Sequence, residues 1–380
     1  MELNDIRREI DAIDDELTAL FAKRMDCARA VAEAKQQAGM PIRDHARERA
    51  IVNRLTAKAG DAYAPYVRAL YSQIFDLSRS CQASLFGQQS PLVKELARAV
   101  AETEGKRLPE HALVACQGAE GAYAQQACER LFPYPDILYF DSFEGVFSAV
   151  EKGMCRYGIL PVENSTAGSV TQVYDLMEKH RFYIVGAHRL RVDHRLMRRR
   201  GASDAPIREV VSHEQALRQC SRFFDEHPEI TATPMRNTAV AAEFVAGSDR
   251  DDLAAIASRP CAELYGLEIV RDDVSDQANN FTRFICISRH PEVYPGARKI
   301  SLMLNLAHEP GALNAVVSRL AIAGVNLLKL ESRPIPGREF EFRFFFDMAA
   351  SVRDADVARL LGELEGHCEH FTFLGCYDEQ

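Results

Sequence analysis

The chain has 380 residues, enough for two or three domains with a core in each. At 47% hydrophobic and 27% charged it has the composition of a globular protein, and a net charge of −9 argues against a nucleic-acid partner, which needs a basic footprint. No apolar run approaches the ~20 residues that span a bilayer, and the opening Met1-Glu2-Leu3-Asn4-Asp5 lacks the apolar stretch of an export signal, so no membrane partner and a cytoplasmic location are expected.

From Leu3 to Ala38 there is no Gly or Pro, and Leu3, Ile6, Ile10, Ile13, Leu17 and Leu20 form one stripe at helical spacing. Asn4 or Asp5 is expected to cap this helix, with Gly39 and Pro41 ending it. At 1.5 Å per residue it runs to about 50 Å, too long for a small compact monomer, so a bundle shared by two chains is expected. The same stripe then meets Arg24 and Lys35, roughly 16 Å apart on one face. Cations on a core-facing stripe are costly unless an anion answers them. A second helix, from about Asp44, puts Asp44, Arg47 and Glu48 beside the row of Ile51 and Leu55. In the third, opened by Pro65, the row Val67, Leu70, Ile74 runs into Ser78 and then Gln82. Seven polar residues from three helices describe a wet cationic pocket for a small dianion.

This pattern, over about residues 1–90, resembles the all-helical chorismate mutases that begin bifunctional enzymes of aromatic biosynthesis. The resemblance implies that Arg7, Arg24 and Arg47 hold two carboxylates, Arg7 coming from the partner chain. It implies that Lys35 and Gln82 face the ether oxygen, and that Asp44, Glu48 and Ser78 place the ring hydroxyl and the remaining polar edge. A pericyclic rearrangement needs no nucleophile; it gains from a held conformer and from donors aimed at the charge growing on the breaking C–O bond.

A helical connector, residues 91–110 with its approach from Gln88, precedes a change of period. Short strand-like runs (Ala112–Cys116, Tyr157–Leu160, Val210-Val211, Ile230–Thr233, Ala254–Ala257, Phe284–Ile287) alternate with helical ones, the mark of an α/β domain. Their ends carry Gly118-Ala119-Glu120-Gly121, Glu163-Asn164-Ser165-Thr166, Ser212-His213 and Asn237-Thr238, each at a helix start where anions bind well. The cluster Arg195, Arg198, Arg199, Arg200 reads as a solvated loop face. Ten cysteines never fall at Cys-x-x-Cys spacing and no His cluster has ligand spacing, so reduced, mostly buried thiols and no metal or other cofactor are expected.

Thr282-Arg283-Phe284 resembles the signature of prephenate dehydratases, and Pro161 to Gly168, Ser212 to Leu217 and Leu264 to Leu267 match that family in order, over about residues 111–290. The resemblance implies two α/β lobes, like periplasmic binding proteins, with prephenate between them. It implies Thr282 as donor to the leaving hydroxyl and Arg283 as holder of a carboxylate. Asn164, Ser165, Thr166, Thr238, Ser212, His213 and Phe284 would complete the substrate site, with Glu163 shaping it. The first glycine loop departs from the family: Ala122 and Ala124 stand where hydroxyls are usual.

After a joint at His290 to Arg298 the order strand (Ile300–Leu306), helix (Leu313–Ala323), strand (Val325–Glu331), strand (Phe340–Phe346), helix (Val357–Leu364), strand (Phe371–Cys376) predicts a ferredoxin-like βαββαβ domain over 298–380, with Phe340–Phe346 as a half-buried edge strand. Gly311-Ala312-Leu313-Asn314 and Glu331-Ser332-Arg333-Pro334 resemble the amino-acid-sensing motifs of ACT domains attached to prephenate dehydratases. In that family phenylalanine binds between two such domains and inhibits. Together the resemblances imply a bifunctional enzyme, at least a homodimer, taking chorismate through prephenate to phenylpyruvate under L-phenylalanine control. The competing reading is a mutase carrying a ligand sensor that has lost turnover, motivated by the two alanines.

Overall fold

The computed structural model describes residues 2–38, 44–87, 90–203, 205–277, 279–338, 340–366 and 368–380. The helix stop expected at Gly39 and Pro41, and the connector start at Gln88, lie outside them. Four helices come first: α1 (Leu3–Ala38), α2 (His45–Ala59), α3 (Ala64–Gly87) and α4 (Pro91–Glu102). Asn4 and Asp5 are not caps, since α1 already begins at Leu3; Asp5 instead sits in its first turn, where a carboxylate suits the dipole. Asp44 does cap α2, its carboxylate accepting from the Arg47 N–H at 2.9 Å.

Strands and helices then alternate. The first run is β1 (His111–Gln117), α5 (Tyr123–Leu131), β2 (Tyr134–Phe140), α6 (Phe143–Glu151), β3 (Tyr157–Asn164), β4 (Gly168–Ser169), α7 (Thr171–Met177) and β5 (Tyr183–Arg191). The chain crosses to a second sheet through β6 (Arg195–Arg199), β7 (Glu209–His213), α8 (Glu214–Arg218), α9 (Ser221–Glu226), β8 (Thr231–Met235), α10 (Thr238–Ala246), β9 (Leu253–Ala257), α11 (Arg259–Leu264) and β10 (Leu267–Arg271). It returns to the first with β11 (Phe281–Ser288). The sheet orders are β2-β1-β3-β11-β5, with β4 beside β3, and β10-β6-β9-β7-β8. Inner strands covered on both faces are apolar throughout, as the fully buried Leu-Ala-Ala-Ile-Ala of β9 shows.

The last part has the expected βαββαβ order: β12 (Lys299–Asn305), α12 (Ala312–Ile322), β13 (Asn326–Pro334), β14 (Phe342–Ala349), α13 (Ala355–Glu365) and β15 (His370–Tyr377). The sheet order β13-β14-β12-β15 makes β14 an inner strand rather than an edge. Hence Phe345 and Phe346 are both buried, while Phe340 lies outside the strand at φ +60° and is exposed.

The chain packs as two compact units, Met1–Arg98 with Leu302–Thr372, and Ala99–Ser301 with Phe373–Gln380. In the first, α3 rests on α13, where Ser80 donates to Glu363 at 2.9 Å. In the second, α5 covers β1, β3, β5 and β11, and α10 and α11 cover β6, β7 and β9. The chain end lies along β5: Ala187 N–H donates to the Asp378 carbonyl at 3.0 Å, Gln380 N–H to Ala187 at 3.0 Å, and Arg189 N–H to Gln380 at 2.9 Å.

Gly158 of β3 faces α6 so closely that a Cβ there would sit 2.8 Å from Val146 Cγ1 and 3.0 Å from Val150 Cγ2. A Gly158→Ala variant is expected to lose about 1–3 kcal/mol of stability through overpacking, read from urea unfolding.

Candidate active sites

In the helical region the stripe leads where the sequence points. Arg24 donates to Ser78 Oγ, reaches the Ile74 carbonyl at 3.5 Å, and lies 5.7 Å over the Phe75 ring. Gln82, one turn beyond Ser78, is buried, and its Oε1 has no hydrogen-bond partner among the described residues. Lys35 is half-buried, Arg47 and Arg7 are exposed, and Asp44 is held at its cap. Glu48 is not free to meet a ring hydroxyl as it stands, because it pairs with Arg79, which also binds Asp76. Sequence reading missed Arg79; the Asp76–Arg79 spacing of three residues on α3 was its only local sign. Arg7 is seventeen positions before Arg24, about 26 Å along the same helix, so one chain cannot bring the two together.

The α/β unit holds a cavity of about 580 Å³. Of the expected residues, Asn164, His213, Thr238, Thr282 and Phe284 line it, with Ala122 and Ala124. Thr282 and Asn164 are cross-strand partners in β11 and β3, and Asn164 Nδ2 donates to Thr282 Oγ1 at 2.9 Å. Arg283 requires a correction. Neighbouring strand residues point to opposite faces, so Arg283 turns from the cavity to which Thr282 and Phe284 belong. It is buried against its cross-strand partner Glu163 (3.5 Å), Glu379 (3.7 Å) and Tyr377 Oη (3.4 Å). Glu163 goes with it. Burial alone would raise the Glu379 pKa, but Lys299, Arg283 and Arg189 hold that carboxyl below its ordinary value.

Other expected members also sit elsewhere. Ser212 is fully buried and gives its hydrogen to the Ile256 carbonyl at 2.5 Å, a packing role. Ser165 ties the start of β11, donating to the Asn279 carbonyl (3.0 Å) and accepting from Phe281 N–H (2.9 Å). Thr166 lines an adjoining polar pocket of about 220 Å³ with Gln219 and Asn280. His213 caps α8, accepting from Gln215 N–H at 3.2 Å. In the glycine loop the N–H groups of Gly118, Gly121 and Ala122 are engaged by Phe140 O, Gln125 Oε1 and Ala119 O, so those three do not replace the missing hydroxyls.

Sequence reading did not single out Gln117, Tyr123, His194, Gln219 or Arg236, all of which line the cavity. Arg236 pairs with Asp141 at 2.7 Å. The basic cluster is a strand, not a loop: Arg195, Arg198 and Arg199 belong to β6 and pair with Asp272, Glu268 and Asp251.

A family model described as chorismate mutase type II matches residues 6–83, and one described as prephenate dehydratase matches residues 114–292. Over 387 aligned residues the chain is 31% identical to the bifunctional chorismate mutase/prephenate dehydratase of Escherichia coli (strain K12), covering 99% of this chain and 96% of that protein. The chain belongs to the bifunctional chorismate mutase/prephenate dehydratase family. It is also 36% identical over 281 residues to arogenate dehydratase 3, chloroplastic, of Arabidopsis thaliana, covering 70% of this chain and 66% of that protein. Among solved structures, the prephenate dehydratase of Arthrobacter aurescens in complex with L-Phe superposes with a TM-score of 0.64 at 27% identity, over 70% of this chain and 90% of that one. GqqA, described as a novel type of quorum quenching acylase, gives a TM-score of 0.64 at 34% identity, over 70% and 98%.

With Arg283 supporting the fold, an Arg283→Met variant is expected to lose about 1–3 kcal/mol of stability in urea, while its KM for prephenate stays within about threefold of the parent.

Proposed function

We propose that this chain rearranges chorismate to prephenate and converts prephenate to phenylpyruvate, with L-phenylalanine as feedback inhibitor of phenylalanine biosynthesis. The observation that carries the reading is Thr282, set in a cavity beside Asn164 by a strand pairing, within a chain that matches a bifunctional relative from end to end.

For the first reaction, Arg24, Arg47 and the Arg7 of a second copy hold the two carboxylates. Lys35 and Gln82 meet the ether oxygen as its bond breaks, and Asp44, Glu48 and Ser78 serve the hydroxyl edge; Glu48 must leave Arg79 to do so. The apolar stripe of α1 supports a homodimer: Leu3, Ile6, Ile10, Ile13, Leu17 and Leu20 are 40–64% exposed in the single chain. So wide an apolar surface asks for a partner, and the separation of Arg7 from Arg24 asks for the same one.

For the second, the electron pair of the departing carboxylate moves into the ring, carbon dioxide leaves, and the ring hydroxyl is expelled. Thr282 donates a hydrogen bond to that hydroxyl. Asn164, Thr238, His213 and Phe284 line the site, and Ser165, Thr166, Ser212, Glu163 and Arg283 hold its walls.

We assign 1–90 to the mutase, 91–110 to a helical linker, 111–290 to the dehydratase and 298–380 to an ACT domain. A pocket of about 350 Å³ beside Ala312 and Leu313, with Phe342 and Phe344, suits a phenylalanine ring. Glu331-Ser332-Arg333-Pro334 lies on the edge strand β13, outside that pocket, which suits a ligand held between two copies.

An assay fed with chorismate should release phenylpyruvate, less of it when phenylalanine is added. Prephenate accumulating alone would leave a mutase with a silent sensor. A Lys35→Ala variant should slow prephenate formation roughly 10²- to 10³-fold yet still convert supplied prephenate.

A further inference from the structure

The dehydratase cavity contains a hydrogen-bond chain whose direction can be worked out from one fixed end. Asn164 Oδ1 accepts the backbone N–H groups of Thr166 (3.1 Å) and Ala167 (2.9 Å). A backbone N–H can only donate, so this end of the amide is the oxygen and the other must be the nitrogen. Asn164 Nδ2 therefore gives its hydrogens to Thr282 Oγ1 (2.9 Å) and Asn280 Oδ1 (2.8 Å). With its oxygen so used, Asn280 turns Nδ2 to Gln219 Oε1 at 3.0 Å, and Gln219 Nε2 meets Thr166 Oγ1 at 2.8 Å.

The chain ends on His194. Its Nε2 is 2.9 Å from Gln219 Oε1, an atom that can only accept, so Nε2 carries the hydrogen. On the other side of the ring Nδ1 lies 3.4 Å from Tyr123 Oη, whose own hydrogen goes to the Asp193 carbonyl at 2.8 Å. His194 is 3% exposed, and burial holds its pKa below the ordinary value, in keeping with a neutral ring. Two consequences follow for Thr282. One lone pair of its hydroxyl is occupied by Asn164, and its single hydrogen is left for the cavity. A threonine facing the same cavity without this arrangement would as readily accept as donate.

The placement in the chain adds a second point. His194 lies in the crossing from β5 to β6 and Asn280 in the return from β10 to β11, and the two crossings are also joined by Val192 N–H donating to the Asn280 carbonyl at 2.8 Å. Gln219, just after α8, bridges them by accepting from both residues. The geometry points to His194 and Gln219 as positioning residues of the dehydratase reaction: they fix Asn280 and Asn164, and through them keep Thr282 a hydrogen-bond donor to the leaving hydroxyl. This rests on the dehydratase reading above.

The test is steady-state kinetics of the full-length chain on prephenate, following phenylpyruvate. His194→Leu and Gln219→Met should each lower kcat roughly tenfold or more with KM within about twofold. His194→Gln, which returns an N–H at similar reach, should recover most of the loss. The double variant His194→Leu/Gln219→Met should be no slower than the slower single variant, because both act through one chain. Gln219 is only half-buried, so its substitution tests the idea even if His194→Leu does not fold. Parental kcat in Gln219→Met, or no recovery in a folded His194→Gln, would overturn the assignment. Failure of the parent chain to make phenylpyruvate would remove the dehydratase reading and this inference with it, a result distinct from an active parent with indifferent variants.

Discussion

Successive side chains of a strand leave it on opposite faces, and the chemistry of the α/β unit follows from that constraint at β11. Thr282 and Phe284 reach the cavity because Arg283 between them does not. The same alternation in β3 sends Asn164 toward Thr282 and Glu163 toward Arg283, so two adjacent cross-strand pairs divide the labour. One pair carries the hydroxyl and its amide. The other is an ion pair, buried on the arginine side, that anchors the strand on which that hydroxyl is held.

Much of this was legible in the sequence. The stripe of α1 that turns from leucine and isoleucine to Arg24 foretold the meeting with Ser78, because helical spacing alone sets which residues share a face. The strand ends at Asn164 and Thr238 were legible for the same kind of reason: short apolar runs mark strands, and ligands gather past their carboxyl ends, whereas Thr282, at the start of β11, was marked only by the resemblance to the dehydratase signature. What could not be read was the direction of polar side chains. Ser212 looks like its neighbours in sequence, yet the strand pairing gives it a buried carbonyl to satisfy. Arg79 and Gln219 are unremarkable until tertiary contacts supply Glu48 and His194.

The glycine loop shows how a departure from family habit is absorbed. Ala122 and Ala124 are buried and contribute Cβ surface, and three loop amides close on their own surroundings. The polarity of the cavity then comes from side chains outside the glycine loop itself, among them Asn164, Gln219, Arg236 and Thr282.

The last residues of the chain have an office of their own. β5 is the border strand of its sheet, and residues 378–380 take up the N–H and C=O of Ala187 and the N–H of Arg189. A bare strand border is a template on which other molecules add, so this selvedge guards against stacking into aggregates. Cutting the α/β part out at residue 290 would keep every group that lines the cavity and bare this border of β5.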